Sequence, residues 1–314
     1  EADITVTLWD EGSKKWEKTD FFLSLIDLDI NPNGTHIAVV DFKNVYYLST
    51  NSNTEIWVDN YASDSMSSVA ISPNNQYIAA GTEDGNVYVY DTSSSTAAWY
   101  HSGTLDGKIT DIDFSGNSSH LVIGTDSGRV HVYPSSGSDN PITMFQPNEV
   151  TCVSADLTSK YYTYGTEEGM LTVFDGIVGS DIWQKNIGGI VTDCTFNGKG
   201  TYVFAGSDNK KLVLANASTG DEVWTANAVD AVTAVSLSYK GENILVGTES
   251  GISIYYEQLL DNQPPTASID IINPSIALPG EEITFTGSGI DIDGFVSVSY
   301  THLRAHETRE DLVC

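Results

Sequence analysis

The chain has 314 residues, 40% of them hydrophobic, with 43 acidic side chains against 14 basic ones and a formal charge of −29. That balance argues against nucleic acid as a partner, because phosphate binding needs clustered Lys and Arg, and it disfavours an anionic membrane surface. No apolar run approaches the roughly 18 residues that cross a bilayer, while the length suffices for one large all-β domain and part of a second.

In chain order, Ile4-Thr5-Val6-Thr7-Leu8-Trp9 reads as a strand and Lys15-Trp16-Glu17 as another. The sequence starts at Glu1 without a signal peptide, so it reads as trimmed or cut from a longer frame. From about residue 25 a unit repeats. Its clearest copy runs Val69-Ala70-Ile71, a turn at Ser72-Pro73-Asn74-Asn75, then Tyr77-Ile78-Ala79-Ala80, a Gly81-to-Gly85 turn, Val87-Tyr88-Val89-Tyr90, a polar turn, and Ala97-Ala98-Trp99. These are four short strands with turn chemistry between them.

The turn Gly81-Thr82-Glu83-Asp84-Gly85 returns at Gly124, Gly165, Gly206 and Gly247. The first glycines are 43, 41, 41 and 41 residues apart. A fixed period near forty with four strands per copy predicts an all-β fold, a β-propeller of six to seven four-stranded antiparallel blades. In the copy before these, Val40-Asp41-Phe42-Lys43-Asn44 replaces the glycine turn. The fourth strands carry Trp57, Trp99, Trp183 and Trp224, with Phe145 standing in for the third copy's Trp; large aromatics there fill the wedge between neighbouring sheets. The last copy has no Trp strand. The simplest closure uses Lys14–Asp20 as its outer strand, giving six blades with one surplus strand, and a seven-bladed ring is the alternative.

The run Ile71-Ser72-Pro73-Asn74, Gly81-Thr82 and Val87-Tyr88-Val89-Tyr90-Asp91 resembles the WD-repeat family. Leu212 to Trp224, with its Ser218-Thr219-Gly220-Asp221 turn, resembles the quinoprotein-like (PQQ-like) propellers. Together the resemblances span residues 1–260 and imply the propeller fold. They do not imply the quinone enzymes' chemistry, since neither eight repeats nor adjacent cysteines are present. After a linker at 261–265, residues 266–300 resemble the start of a PKD domain, which implies a partial immunoglobulin-like β-sandwich of the kind found on secreted and surface proteins, archaeal or bacterial. The segments Gly280-Glu281-Glu282-Ile283-Thr284-Phe285 and Asp291-Ile292-Asp293-Gly294-Phe295 carry that likeness. Residues 301–314 resemble translated sequencing-adapter read-through and are expected to be non-native.

Two sets of carboxylates are candidate sites. Glu83, Asp84, Asp126, Glu167, Glu168, Asp208 and Glu249 lie on equivalent turns, so a propeller brings them to one face. They suit calcium, a basic partner, or simply solvent. Asp27, Asp111 and Asp193 share one position on the first strand, facing the channel; three carboxylates there can hold a metal, or bond to a neighbouring loop. No cofactor is the first expectation from these residues, and calcium is the alternative they suggest. The histidines share no metal-ligand spacing, and no nucleophile elbow, Walker loop or zincin motif occurs. Cys152 and Cys194 occupy non-equivalent positions on strands of successive copies. Adjacent strand positions face opposite ways, so a disulfide is not expected and both read as buried thiols.

The expected function is that of a non-catalytic, secreted or cell-surface monomer that binds a protein or a glycan or acts as a scaffold. The alternative is an enzyme or quinoprotein-like redox protein with its site in the central channel.

Overall fold

The computed structural model describes residues 6–257, apart from 11–12, 20, 22–24, 53, 61–64, 102–104, 138–140, 242 and 251–253, and also 266–273, 282–290 and 303–304. The chain divides into two compact units, Glu1–Tyr256 and Glu257–Cys314.

The first unit is a β-propeller. β1 (Val6–Asp10) and β2 (Ser13–Lys18) pair as a two-stranded sheet. Five four-stranded antiparallel blades follow. The first is β3 (Leu25–Ile30), β4 (His36–Asp41), β5 (Asn44–Ser49) and β6 (Glu55–Asn60). The second is β7 (Met66–Ile71), β8 (Tyr77–Thr82), β9 (Val87–Asp91) and β10 (Ala97–His101). The third is β11 (Ile109–Phe114), β12 (His120–Thr125), β13 (Arg129–Pro134) and β14 (Ile142–Phe145). The fourth is β15 (Val150–Ala155), β16 (Tyr161–Thr166), β17 (Met170–Asp175) and β18 (Ser180–Asn186). The fifth is β19 (Val191–Phe196), β20 (Tyr202–Ser207), β21 (Lys211–Asn216) and β22 (Glu222–Asn227). A sixth sheet has three strands, β23 (Val232–Leu237), β24 (Asn243–Thr248) and β25 (Ile254–Glu257).

Blades succeed one another through their first strands, β3 against β7, β7 against β11, and so on to β23. Where a blade has a neighbour on each side, both faces of its inner strands are covered, and its second strand carries a near-continuous apolar run instead of an alternating one. In β8 and β12 every residue after the first is buried. The outer strands face solvent on one side and do alternate, as in β18 and β22.

The motif's first glycine is what allows this closeness. A Cβ on Gly206 would lie 2.4 Å from Val232 Cγ1 of the next blade, and one on Gly81 would lie 2.5 Å from Ile109. The first blade has Val40 at this position. Its opposite number is Met66, whose unbranched side chain yields where Ile109 or Val232 would not. The motif's last glycine has a different reason: Gly85, Gly128 and Gly169 sit at φ 77, 78 and 82°, a region that costs side-chain-bearing residues. The fifth blade places Lys210 there, at φ 74°.

Tryptophans fasten three of the outer strands to the next blade. Trp57 Nε1 donates to the Thr92 carbonyl at 2.9 Å, Trp99 to Ser135 at 2.8 Å and Trp183 to Ala217 at 2.9 Å. Phe145 does not take the Trp position. Ile142 does, paired with Val132 as Trp99 pairs with Val89, while Phe145 lies at the strand end, 67% exposed and stacked under Arg129.

The closure expected of Lys14–Asp20 is not the one found. β2 pairs with β1 and packs beside the first blade, and β25 pairs within its own three-stranded sheet. In the second unit β26 (Thr266–Asn273), β27 (Glu282–Ile290) and β28 (Leu303–Arg304) form one antiparallel sheet with β27 central. The rest of the segment expected to be PKD-like lies outside the described residues, as does most of 301–314.

Candidate binding face and central channel

All five glycine turns join a second strand to a third, so they emerge at one end of the propeller. Their acids, Glu83, Asp84, Asp126, Glu167, Glu168, Asp208 and Glu249, are all exposed. Each turn is anchored by its third residue: the amides of Glu83, Asp126, Glu167, Asp208 and Glu249 donate to the carbonyls of Ser65, Lys108, Glu149, Ile190 and Ala231. The carboxylates stand on fixed backbone. Glu83 meets Lys108 at 3.0 Å, and Asp208 accepts from the Ile190 amide at 2.8 Å. Burial, then the charges of Glu167 and Asp126, raise the pKa of Glu149, a further acid at the same end. The field there is negative enough to act between turns.

The channel carboxylates do come to equivalent positions, opposite Val40, Gly124 and Gly206 in their ladders. Each is a latch between blades. Asp27 Oδ1 accepts the Leu28 amide and Oδ2 accepts the Val69 amide of the next blade at 2.9 Å. Asp111 does the same with Ile112 and Val153, at 2.8 Å each. Asp193 does so with Cys194 and Val235, at 2.7 Å each. Ser68 Oγ joins two of them, 3.1 Å from Asp27 and 3.4 Å from Asp111. Among the described residues, no three His, Cys, Asp or Glu side chains are gathered to hold a metal ion.

A second row, which sequence reasoning misses, lies one step further along the same strands. Asp29 accepts the Ile30 and Ile71 amides, and Asp113 those of Phe114 and Ala155 together with the Ser154 hydroxyl. The available signal is Asp-x-Asp in Asp27-Leu28-Asp29 and Asp111-Ile112-Asp113, since residues two apart share a strand face. Burial dominates their electrostatics. It raises Asp29 and Asp193 to about 7 and Asp113 to about 6, and Asp111 well above the usual carboxylate range, against the opposing pull of the amide donors. Neighbouring carboxylates add to the rise of Asp29, Asp111 and Asp193. Asp29 and Asp113 line a cavity of about 340 Å³ at the other end of the channel, with Phe114, Phe196 and Tyr239 among its walls.

The disulfide that the sequence speaks against is present: Cys152 is bonded to Cys194, with Cα atoms 6.0 Å apart. The two positions are indeed out of phase, Cys152 opposite Gly165 and Cys194 opposite Ala205. That phase difference is what brings them together. The front of one blade faces the back of the next, so a bond between blades needs side chains pointing opposite ways within their own strands.

Residues 22–173 match the family described as nucleolar protein 10-like, N-terminal domain, a β-propeller domain. Residues 167–258 match the family described as outer membrane protein assembly factor BamB. A chain in the crystal structure of the mitotic checkpoint complex is similar with a TM-score of 0.72 over 81% of each chain, at 14% identity. That likeness is one of fold. No curated protein sequence matches this chain.

Proposed function

We propose that this β-propeller is a non-catalytic interaction module that binds a basic protein partner through its acidic end, outside the cell or on its surface. The observation that carries the reading is the set of seven exposed carboxylates on five equivalent, backbone-anchored turns at one end of the fold. Matches to propeller families of two kinds support an interaction scaffold. A protein is favoured over a glycan because clustered carboxylates select cationic side chains. The Cys152–Cys194 bond supports an oxidising compartment. Catalysis in the channel has less support, since its carboxylates spend their oxygens on backbone amides.

Calorimetric titration with a synthetic Lys/Arg-rich peptide tests the reading. Binding is expected at low salt, weakening as salt is added, and falling roughly tenfold in the triple variant Asp126→Asn, Glu167→Gln, Glu168→Gln. Absence of binding, or a triple variant that binds as the parent does, overturns it.

A further inference from the structure

The sheet β1–β2 stands where the outer half of one more blade would stand. Trp16 of β2 donates its indole N–H to the Thr50 carbonyl, in the turn between β5 and β6. Trp57, Trp99 and Trp183 make the same bond, each from a fourth strand to the following blade. β2 is therefore a fourth strand, β1 a third, and their blade precedes the first one. Lys18 of β2 pairs with Glu55 of β6 at 2.8 Å. Val6 and Phe21 cover Ile37 and Val39 of β4 and Tyr46 and Leu48 of β5.

Among the described residues nothing covers the inner half of that position. On β3, Leu28 is 49% exposed, whereas its equivalents Val69, Ile112, Val153, Cys194 and Val235 are all buried. Ile26 and Ile30, on the same face, are open as well. The opposite wall shows the same break. Leu245 on β24 is 48% exposed, although the corresponding Ala38, Ala79, Val122, Thr163 and Phe204 are each at 0%. The motif glycines give a third sign. Gly81, Gly124, Gly165 and Gly206 each face a side chain of the next blade within 3 Å of an added Cβ, while the nearest atoms to Gly247 all belong to its own sheet, at 3.3 Å and beyond.

We infer that the slot between β3 and β24 is a receiving site for a two-stranded β-hairpin that enters the fold directly ahead of β1. The hairpin's second strand pairs with β1, whose other edge is paired with β2. Its two faces are apolar, one closing on Ile26, Leu28 and Ile30 and the other on Leu245. The uncovered face of β3 continues the one that β1–β2 already cover on β4 and β5, so the occupant extends an existing interface. Main-chain pairing supplies affinity and the two apolar walls supply fit.

The test joins a copy of residues 66–86, a first and second strand with their glycine turn, ahead of Val6 in the full chain. The parent should bind a dye for exposed apolar surface, and the fusion should lose that signal and melt higher by roughly 5 °C or more. A fusion carrying the same residues in scrambled order should gain nothing. Leu28→Asp should leave the melting temperature of the parent almost unchanged and should cancel the gain in the fusion. Failure of the ordered fusion to gain, or a parent destabilised by Leu28→Asp as by a buried charge, overturns the inference. So does a parent that sediments as a dimer and becomes a monomer on Leu28→Asp, because a second copy then fills the slot.

Discussion

Cys152 and Cys194 bond the innermost strands of the fourth and fifth blades, 42 residues apart in sequence. The bond closes a loop that holds most of one blade. Constraining such a loop in the unfolded chain is worth about 2–4 kcal/mol. The double variant Cys152→Ala, Cys194→Ala should lower the urea midpoint, and should steepen the slope because the unfolded chain without its cross-link exposes more surface. Under denaturing conditions, thiol titration should find two more cysteines after reduction than before.

Stability should fall as pH rises toward neutrality. Asp29 and Asp193, raised to about 7, and Asp113, raised to about 6, hold protons in the folded protein that the unfolded chain, with carboxyls near 3.8, has already released. A raised folded-state pKa contributes stability below the unfolded value, and the contribution is lost as pH climbs through the folded value. The window is thus about pH 4 to 7. Each pH unit separating the folded from the unfolded value is worth at most about 1.4 kcal/mol, and less where channel water reaches the group. Melting temperatures should be higher near pH 5 than near pH 8. Asp193→Asn should flatten that dependence, because an amide oxygen still accepts the Val235 amide and carries no charge. A pH-independent melting curve in the parent would contradict the raised values.

Removing a motif glycine and restoring one should move stability in opposite directions. Gly206→Ala drives a methyl against Val232 and should cost roughly 1–3 kcal/mol by overpacking. Lys210→Gly relieves a left-handed backbone and should stabilise by about 1 kcal/mol. Chemical denaturation of the two single variants reads both signs.

Trp183→Phe keeps an aromatic in the wedge and removes only the indole N–H that reaches the Ala217 carbonyl. A loss of about 1 kcal/mol is expected from an acceptor left without its donor. Denaturation midpoints of Trp183→Phe and the parent measure the loss.

The repeat spacing is enough to read the propeller, because a turn that must hold Gly81 or Gly206 against a neighbour can be counted without knowing the neighbour. The acidic tips are legible for the same reason. What escapes is everything that acts between blades. Cys152 and Cys194 look incompatible when one strand is considered alone, and become partners only when two sheets face each other. Asp29 and Asp113 stay hidden because their partners, the Ile71 and Ala155 amides, lie 42 residues away and have no sequence signature. Phe145 is misplaced by spacing alone because a shorter fourth strand moves Ile142 into register.

The latches also carry a longer rhythm. Asp27, Asp111 and Asp193 are 84 and 82 residues apart, so every second blade sends a channel carboxylate forward to a backbone amide of the next. The wall of the channel is thus assembled as three doublets: first with second, third with fourth, fifth with sixth. Within a doublet the bond is a carboxylate on an amide, and between the middle and last doublets it is covalent, through Cys152 and Cys194. Under mechanical load or slow denaturation the seams that lack a carboxylate–amide latch are where the fold should part, releasing blades two at a time: between the second and third blades, where among the described residues the channel wall has only the Ser68–Asp111 bond, and between the fourth and fifth once the disulfide is reduced.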